Sequence, residues 1–248
     1  MSDTKLIEFW SSVPYLSDIE ECRPRPAGKD IPSWWTKVRN DSGSNFPASN
    51  IKRCPGIGDF FTNGYTLPMW GDTILKHNPK TGEWNWRCGN NESPFHINIF
   101  DENAFLQYNE ANTFGIPATK VFQLVNPWRV RTSPGYSILQ IPLLYHFNKD
   151  FTVLPGIVDT DIYNTLNVEV MYHGAGDEVF IPQGTPLLQY IPFKRDDFEL
   201  QVRDETEQDK ENYWRQHRLY ETSFKHVYRK QQRKRDEKAK CPIKFEED

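Results

Sequence analysis

The stretch from Leu154 to Gln189 constrains the fold most, because it sets two glycine turns around a half-buried strand at fixed spacing. Leu154 to Asp161 reads LPGIVDTD, Asn167 to Met171 reads NVEVM, and Phe180 to Gln189 reads FIPQGTPLLQ. Leu166, Val168 and Val170 alternate with Asn167, Glu169 and Met171, the period-2 pattern of a strand with one face on a core. Glu169 is therefore expected on the opposite face. Asp159 lies in the preceding turn, where both acids reach one cleft if the sheet doubles back.

The rest of the chain falls into contrasting pieces. Residues 1–53 carry Pro14, Pro24, Pro26, Pro32 and Pro47, which break every candidate helix or central strand. An irregular arm is expected there, anchored by Phe9, Trp10, Trp34 and Trp35. One short helix is predicted over 31–37, with Ser33 as its cap. Residues 54–195 read as a β domain. A hairpin joins Ile74–His77 to Glu83–Arg87 across the turn at Asn78–Gly82, with further strands at 65–70, 121–125, 136–141 and 186–191. Trp84 and Trp86 share one side of a strand and are expected to pack on the aromatic arm. His96 and His146 read as core or edge histidines.

Residues 204–238 contain neither proline nor glycine and are rich in helix formers, which predicts one long helix. Tyr213, His217, Tyr220, Phe224 and Val227 fall on one stripe, expected to dock on the protein's own sheet, with oligomerisation as the alternative. Pro242 ends the pattern, and 239–248 is expected to be a loose tail.

Charge and cysteine usage exclude several function classes. A net charge of −4 gives no general attraction to nucleic acid or membranes. Between Arg229 and Lys240, however, seven cations face only Asp236 and Glu237. That run reads either as a solvated helix end or as a contact for a polyanion. The four cysteines are dispersed without a C-x-x-C pair, and the six histidines show no metal-ligand spacing, so reduced thiols and no metal site are expected. No run approaches 18 apolar residues, and the first residues lack a secretory signal. A soluble protein of the cytoplasm is expected.

Residues 119–195 resemble the β-clip family of dUTPases and dCTP deaminases. The resemblance rests on Gly156-Ile-Val-Asp159, the strand through Glu169, and Gly184-Thr-Pro-Leu-Leu-Gln189. Arg131-Thr-Ser133 resembles the family's phosphate-holding R-S-S motif. The resemblance implies a mainly β architecture: a β-clip-type sandwich or barrel with the irregular aromatic arm and the long C-terminal helix added. It implies Asp159 and Glu169 as catalytic groups, and Arg131, Thr132, Ser133, Asp161 and Gln189 as ligand-binding ones. It also implies a homotrimer, and Mg2+ where the ligand is a nucleoside triphosphate. The chain departs from the family at Val153, where the base-reading asparagine is usual, and at Tyr136, where deaminases carry an arginine. Its following aromatic is displaced to Tyr163, and a charged helix replaces the glycine-rich C-terminal arm.

Most of the chain also resembles an uncharacterised group of tailed-phage and bacterial proteins, through Arg131 to Tyr136, Leu154 to Asp161 and Gly184 to Gln189. A phage origin follows from that resemblance, in a host cytoplasm or a virion. Two functions stay open. One is a polar, nucleotide-like small-ligand site at the clip, with nucleotide hydrolase or deaminase-like chemistry if it is an enzyme. The other is a non-catalytic virion, assembly or host-interaction protein.

Overall fold

The computed structural model describes residues 5–38, 51–89, 95–99, 120–174 and 176–240, without the side chains of Arg53, 219–227 and 235–240. Tyr220, Phe224 and Val227 of the expected helix stripe, and the tail from 241 onward, therefore lie outside the described residues. The chain divides into two compact units.

The larger unit, Lys5–Pro32 with Asn63–Arg195, is antiparallel β structure. In chain order its strands are β1 (Ile7–Ser11), β2 (Arg25–Pro26), β3 (Tyr65–Pro68), β4 (Thr73–His77), β5 (Trp84–Cys88), β6 (His96–Ile99) and β7 (Lys120–Val125). They continue with β8 (Trp128–Thr132), β9 (Tyr136–Pro142), β10 (Phe151–Val153), β11 (Gly156–Val158), β12 (Val168–Tyr172), β13 (Glu178–Ile181) and β14 (Pro186–Lys194). Among the described residues these form four sheets: β11-β9-β14-β3-β2, β10-β12-β7-β6, β13-β4-β5 and the ribbon β1-β8. The chain is thus mainly β with a long C-terminal helix, as the sequence patterns predict.

The expected alternation holds on β12 and just before it: Leu166, Val168 and Val170 are each at most 2% exposed and join Phe122, Leu124, Leu188 and Tyr190 in the core. The predicted hairpin forms with Ile74 opposite Arg87 and Lys76 opposite Asn85. The Trp84 ring meets Phe122 at 5.1 Å, Tyr172 at 5.2 Å and His77 at 4.8 Å, and among the described residues none of its ring partners comes from the N-terminal arm. Trp86 meets His96 instead, at 5.3 Å.

The N-terminal segment is less irregular than its prolines suggest. Ile7 and Phe9 turn to the core while Glu8 and Trp10 face away, so β1 is a short amphipathic strand completed before Pro14. Phe9 stacks on Tyr190 at 6.3 Å and meets Tyr65 edge-on at 5.6 Å. β2 contains Pro26 and lies at the end of its sheet, where a missing N–H leaves no gap in the ladder. Next to β3, Gly64 has φ 71, and a Cβ there would stand 2.0 Å from the Tyr190 carbonyl oxygen, so only glycine fits.

Cys22 and Cys88 are buried free thiols; burial pushes Cys22 up to about 11 and raises Cys88, which makes both poor nucleophiles at neutral pH. His146 is half-buried, and loss of water holds its imidazole below the ordinary range.

The smaller unit draws on Ser33–Thr62 and Asp196–Asp248. Helix α1 (Ser33–Lys37) begins at the expected place, though Ser33 lies inside it rather than before it. Trp35 packs edge-on against Phe61 of α2 (Pro55–Thr62), with centroids 4.9 Å apart. Helix α3 (Glu207–Lys240) is 34 residues long. It opens with a reciprocal cap in which the Asp209 N–H donates to Thr206 Oγ1 at 3.2 Å and the Thr206 N–H donates to Asp209 Oδ2 at 2.9 Å. Tyr213 and Trp214 are more than half exposed. Arg229, from the basic run, is drawn to Asp59 at 2.5 Å, leaving Lys230, Arg233 and Lys234 exposed. Among the described residues no helix is long and apolar enough to cross a membrane.

Candidate functional site

Strand pairing places Asn98, Gln123 and Glu169 side by side across β6, β7 and β12. Their side chains form a row: Asn98 Nδ2 donates to Gln123 Oε1 at 2.8 Å, and Gln123 Nε2 donates to Glu169 Oε1 at 2.9 Å. Glu169 is half-buried, and its Oε2 has no hydrogen-bond partner among the described residues. The carboxylate is therefore oriented by one oxygen and left available at the other.

Glu169 lines a hollow of about 410 Å³. The 154–158 segment, with Pro155 and Gly156, forms one wall; Tyr163 and Thr165 to Asn167 form another, and Gln140 closes it. Tyr163 is 59% exposed, while Gln140 is buried and donates to the Leu154 carbonyl at 3.2 Å. Asn167 Oδ1 is out of water without a hydrogen-bond partner. Such an orphaned acceptor costs about 1–3 kcal/mol unless a donor arrives. Tyr190 is fully buried; desolvation raises its pKa far beyond the usual phenol range, and its hydroxyl accepts a hydrogen bond from Asn126.

The two turn aspartates meet each other through a guanidinium, but it belongs to Arg195 at the end of β14. Arg195 reaches Asp159 Oδ1 at 3.1 Å and grips Asp161 with both nitrogens, at 2.9 Å and 2.5 Å. Asp161 also accepts from the Gly135 N–H at 2.8 Å, and Ser137 Oγ donates to Asp159 at 2.6 Å. The Arg195 hydrogen bonds, helped by the Gly135 amide, hold the Asp161 carboxyl down at about 2. The same pairing raises Arg195. The Asp159 carbonyl accepts from the Ile162 and Tyr163 N–H groups, which fixes Tyr163 at the rim of the hollow.

The Arg131–Ser133 segment is bound into the fold. Arg131 pairs with Glu8 at 3.8 Å and lies over the Trp10 ring at 5.2 Å. Thr132 is buried, its hydroxyl shared between the Tyr136 carbonyl and Thr160 Oγ1. Ser133 Oγ accepts from the Leu6 N–H at 2.9 Å. Gln189 is buried and donates to the Asn63 carbonyl at 2.5 Å.

Of the seven residues singled out from sequence, Asp159 and Asp161 are thus joined, Glu169 alone lines the hollow, and Arg131, Thr132, Ser133 and Gln189 hold neighbouring backbone or side chains. Gln123, Asn98, Asn167 and Arg195 complete the picture. Gln123 carried a signal, as the one polar residue in the run Val121 to Val125. Arg195 carried none, because its partners lie 34 and 36 positions away. Among the described residues no group of three or more His, Cys, Asp or Glu is arranged to hold a metal ion.

No family model matches the sequence, and no curated protein matches it. Among solved structures, the chain is similar to a dUTPase from phage phi11 of S. aureus, at 11% identity and TM-score 0.35, over 82% of this chain and 99% of that one. It is also similar to a dUTPase of Staphylococcus bacteriophage 80alpha, at 11% identity and TM-score 0.35, over 83% and 99%. A third similar structure is EIAV dUTPase, at 11% identity and TM-score 0.29, over 55% and 98%.

Proposed function

We propose that this protein binds a small polar ligand in the hollow beside β12, with Glu169 as its principal polar contact. The observation that carries this reading is a half-buried carboxylate, oriented through one oxygen and unclaimed at the other among the described residues, in the lining of a hollow of about 410 Å³. Concave sites with few, convergent polar groups are where proteins hold small molecules. The aspartate turn serves as the brace: Arg195 clamps Asp159 and Asp161, and the Asp159 carbonyl sets Tyr163. If the site is catalytic, Glu169 is the group placed to exchange a proton with the ligand.

The test is a thermal-shift panel of nucleosides, nucleotides, sugar phosphates, amines and guanidines on the full chain, repeated with Glu169→Gln. A ligand at a hundred times its dissociation constant stabilises by about 2.7 kcal/mol. A shift that Glu169→Gln diminishes supports the reading. No shift with any compound overturns it.

A second reading, assembly, is favoured by one separate observation. Phe198, Leu200 and Val202 alternate with Glu199 and Gln201 outside any helix or strand and are 91%, 87% and 86% exposed. A stripe of that kind is what an added strand presents to a partner's sheet edge. Phe198→Ser with Leu200→Ser reduces oligomer size in sedimentation if this reading holds, and leaves it unchanged if it does not.

A further inference from the structure

Resting on the small-ligand reading of the hollow, we infer that its ligand is a planar organic cation of the guanidinium or amidinium class, carrying no phosphate. The walls supply a carboxylate and no cation. Glu169 offers a carboxylate with Oε2 unclaimed among the described residues. Among the described residues lining the hollow there is no lysine, arginine or histidine.

The arginines near this region have partners outside the hollow. Arg195 is clamped by Asp159 and Asp161, and Arg131 lies between Glu8 and the Trp10 ring. Arg129, whose backbone bridges to Thr165 at the rim, donates from its guanidinium to the Asn126 carbonyl at 2.7 Å. The hydroxyls of Thr132 and Ser133 are also engaged, with Thr160 and the Leu6 N–H. A phosphate entering the hollow would meet Glu169 without a countercharge, whereas a cation would be paired there.

Shape narrows the class from cations in general to planar ones. Tyr163 stands at the rim with 59% of its surface exposed, a ring on which a flat cation stacks. Beyond it, the carboxylate accepts parallel N–H bonds: Oε1 keeps a second lone pair after its bond from Gln123, and Oε2 has both. An ammonium would use the charge but neither the plane nor the fork. The guanidinium can come from a free small molecule or from an arginine side chain of a peptide, and the two share this chemistry.

Calorimetric titration of the full chain with agmatine, with a short blocked peptide carrying one arginine, with its lysine counterpart and with dCTP tests the inference. Agmatine or the arginine peptide is expected to bind, with Glu169→Gln weakening it at least about tenfold and Tyr163→Ala about threefold to tenfold. The lysine peptide is expected to be weaker, and dCTP not to bind at the hollow. Binding of agmatine alone identifies a free metabolite, and tighter binding of the peptide identifies a protein segment. The inference is overturned if dCTP binds and Glu169→Gln or Tyr163→Ala changes that binding, or if guanidines fail while another compound of the panel binds. In the latter case the small-ligand reading stands; if nothing binds, both fall.

Discussion

Gln123 Nε2 stands 2.9 Å from Glu169 Oε1, and this contact joins neighbouring strands through side chains directly opposite each other in the ladder. It turns a carboxylate on a sheet face into one with a fixed direction. Replacing Gln123 by Met keeps the length of the side chain and removes the donor. The expected result is a loss of about 0.5–1.5 kcal/mol in urea unfolding and weaker binding of any ligand that depends on Glu169.

Asp161 sets an acid limit for the larger unit. Its folded pKa, about 2, lies below its unfolded value near 4, so its contribution is complete above pH 4 and is lost as pH falls from about 4 to about 2. Asp209, lowered by Arg203 and Thr206, acts in the same direction in the smaller unit. Urea midpoints measured from pH 5 to pH 2 should fall less steeply in Asp161→Asn than in the parent chain, and less steeply still when Asp209→Asn is added.

Gly64→Ala is expected to be the most disruptive alanine substitution among the described glycines. The added Cβ meets the Tyr190 carbonyl oxygen at 2.0 Å in a left-handed backbone, and that carbonyl belongs to a central strand. A destabilisation of more than about 3 kcal/mol is expected in chemical denaturation, against about 1 kcal/mol or less for Gly82→Ala, where the left-handed φ is similar but nothing lies within 4 Å.

Thr206→Ala removes the side-chain half of the cap on α3. A cost of about 1 kcal/mol is expected, seen as earlier loss of helical circular dichroism on heating, and Thr206→Ser should restore most of it.

Much of the architecture was legible because it follows local periodicity. The alternation through Leu166, Val168 and Val170, the turn at Asn78–Gly82 and the uninterrupted polar helix all appear where pattern places them. The first strand was obscured by the prolines that follow it, although Ile7, Glu8, Phe9 and Trp10 already alternate between core and exterior. The site was legible only in part. Glu169 follows from strand phase, but its partner Gln123 is set by which strands become neighbours, 46 residues apart in sequence. The arginine that meets the aspartates depends on where β14 ends, and a short motif holds no record of that. The contacts of Arg131 with Glu8 and Trp10 were not legible in its motif, because only the β1–β8 pairing brings them together.

The amide row on β6 and β7 runs one way. An amide gives on one side and takes on the other, so the carboxylate at the far end dictates the orientation of both Gln123 and Asn98; turning either would set two oxygens, or two N–H groups, face to face. Asn98 lies at the surface roughly 10 Å from Glu169, two strand spacings away. A substitution at that remote, solvent-washed position can therefore turn the Glu169 carboxylate without touching the hollow it lines.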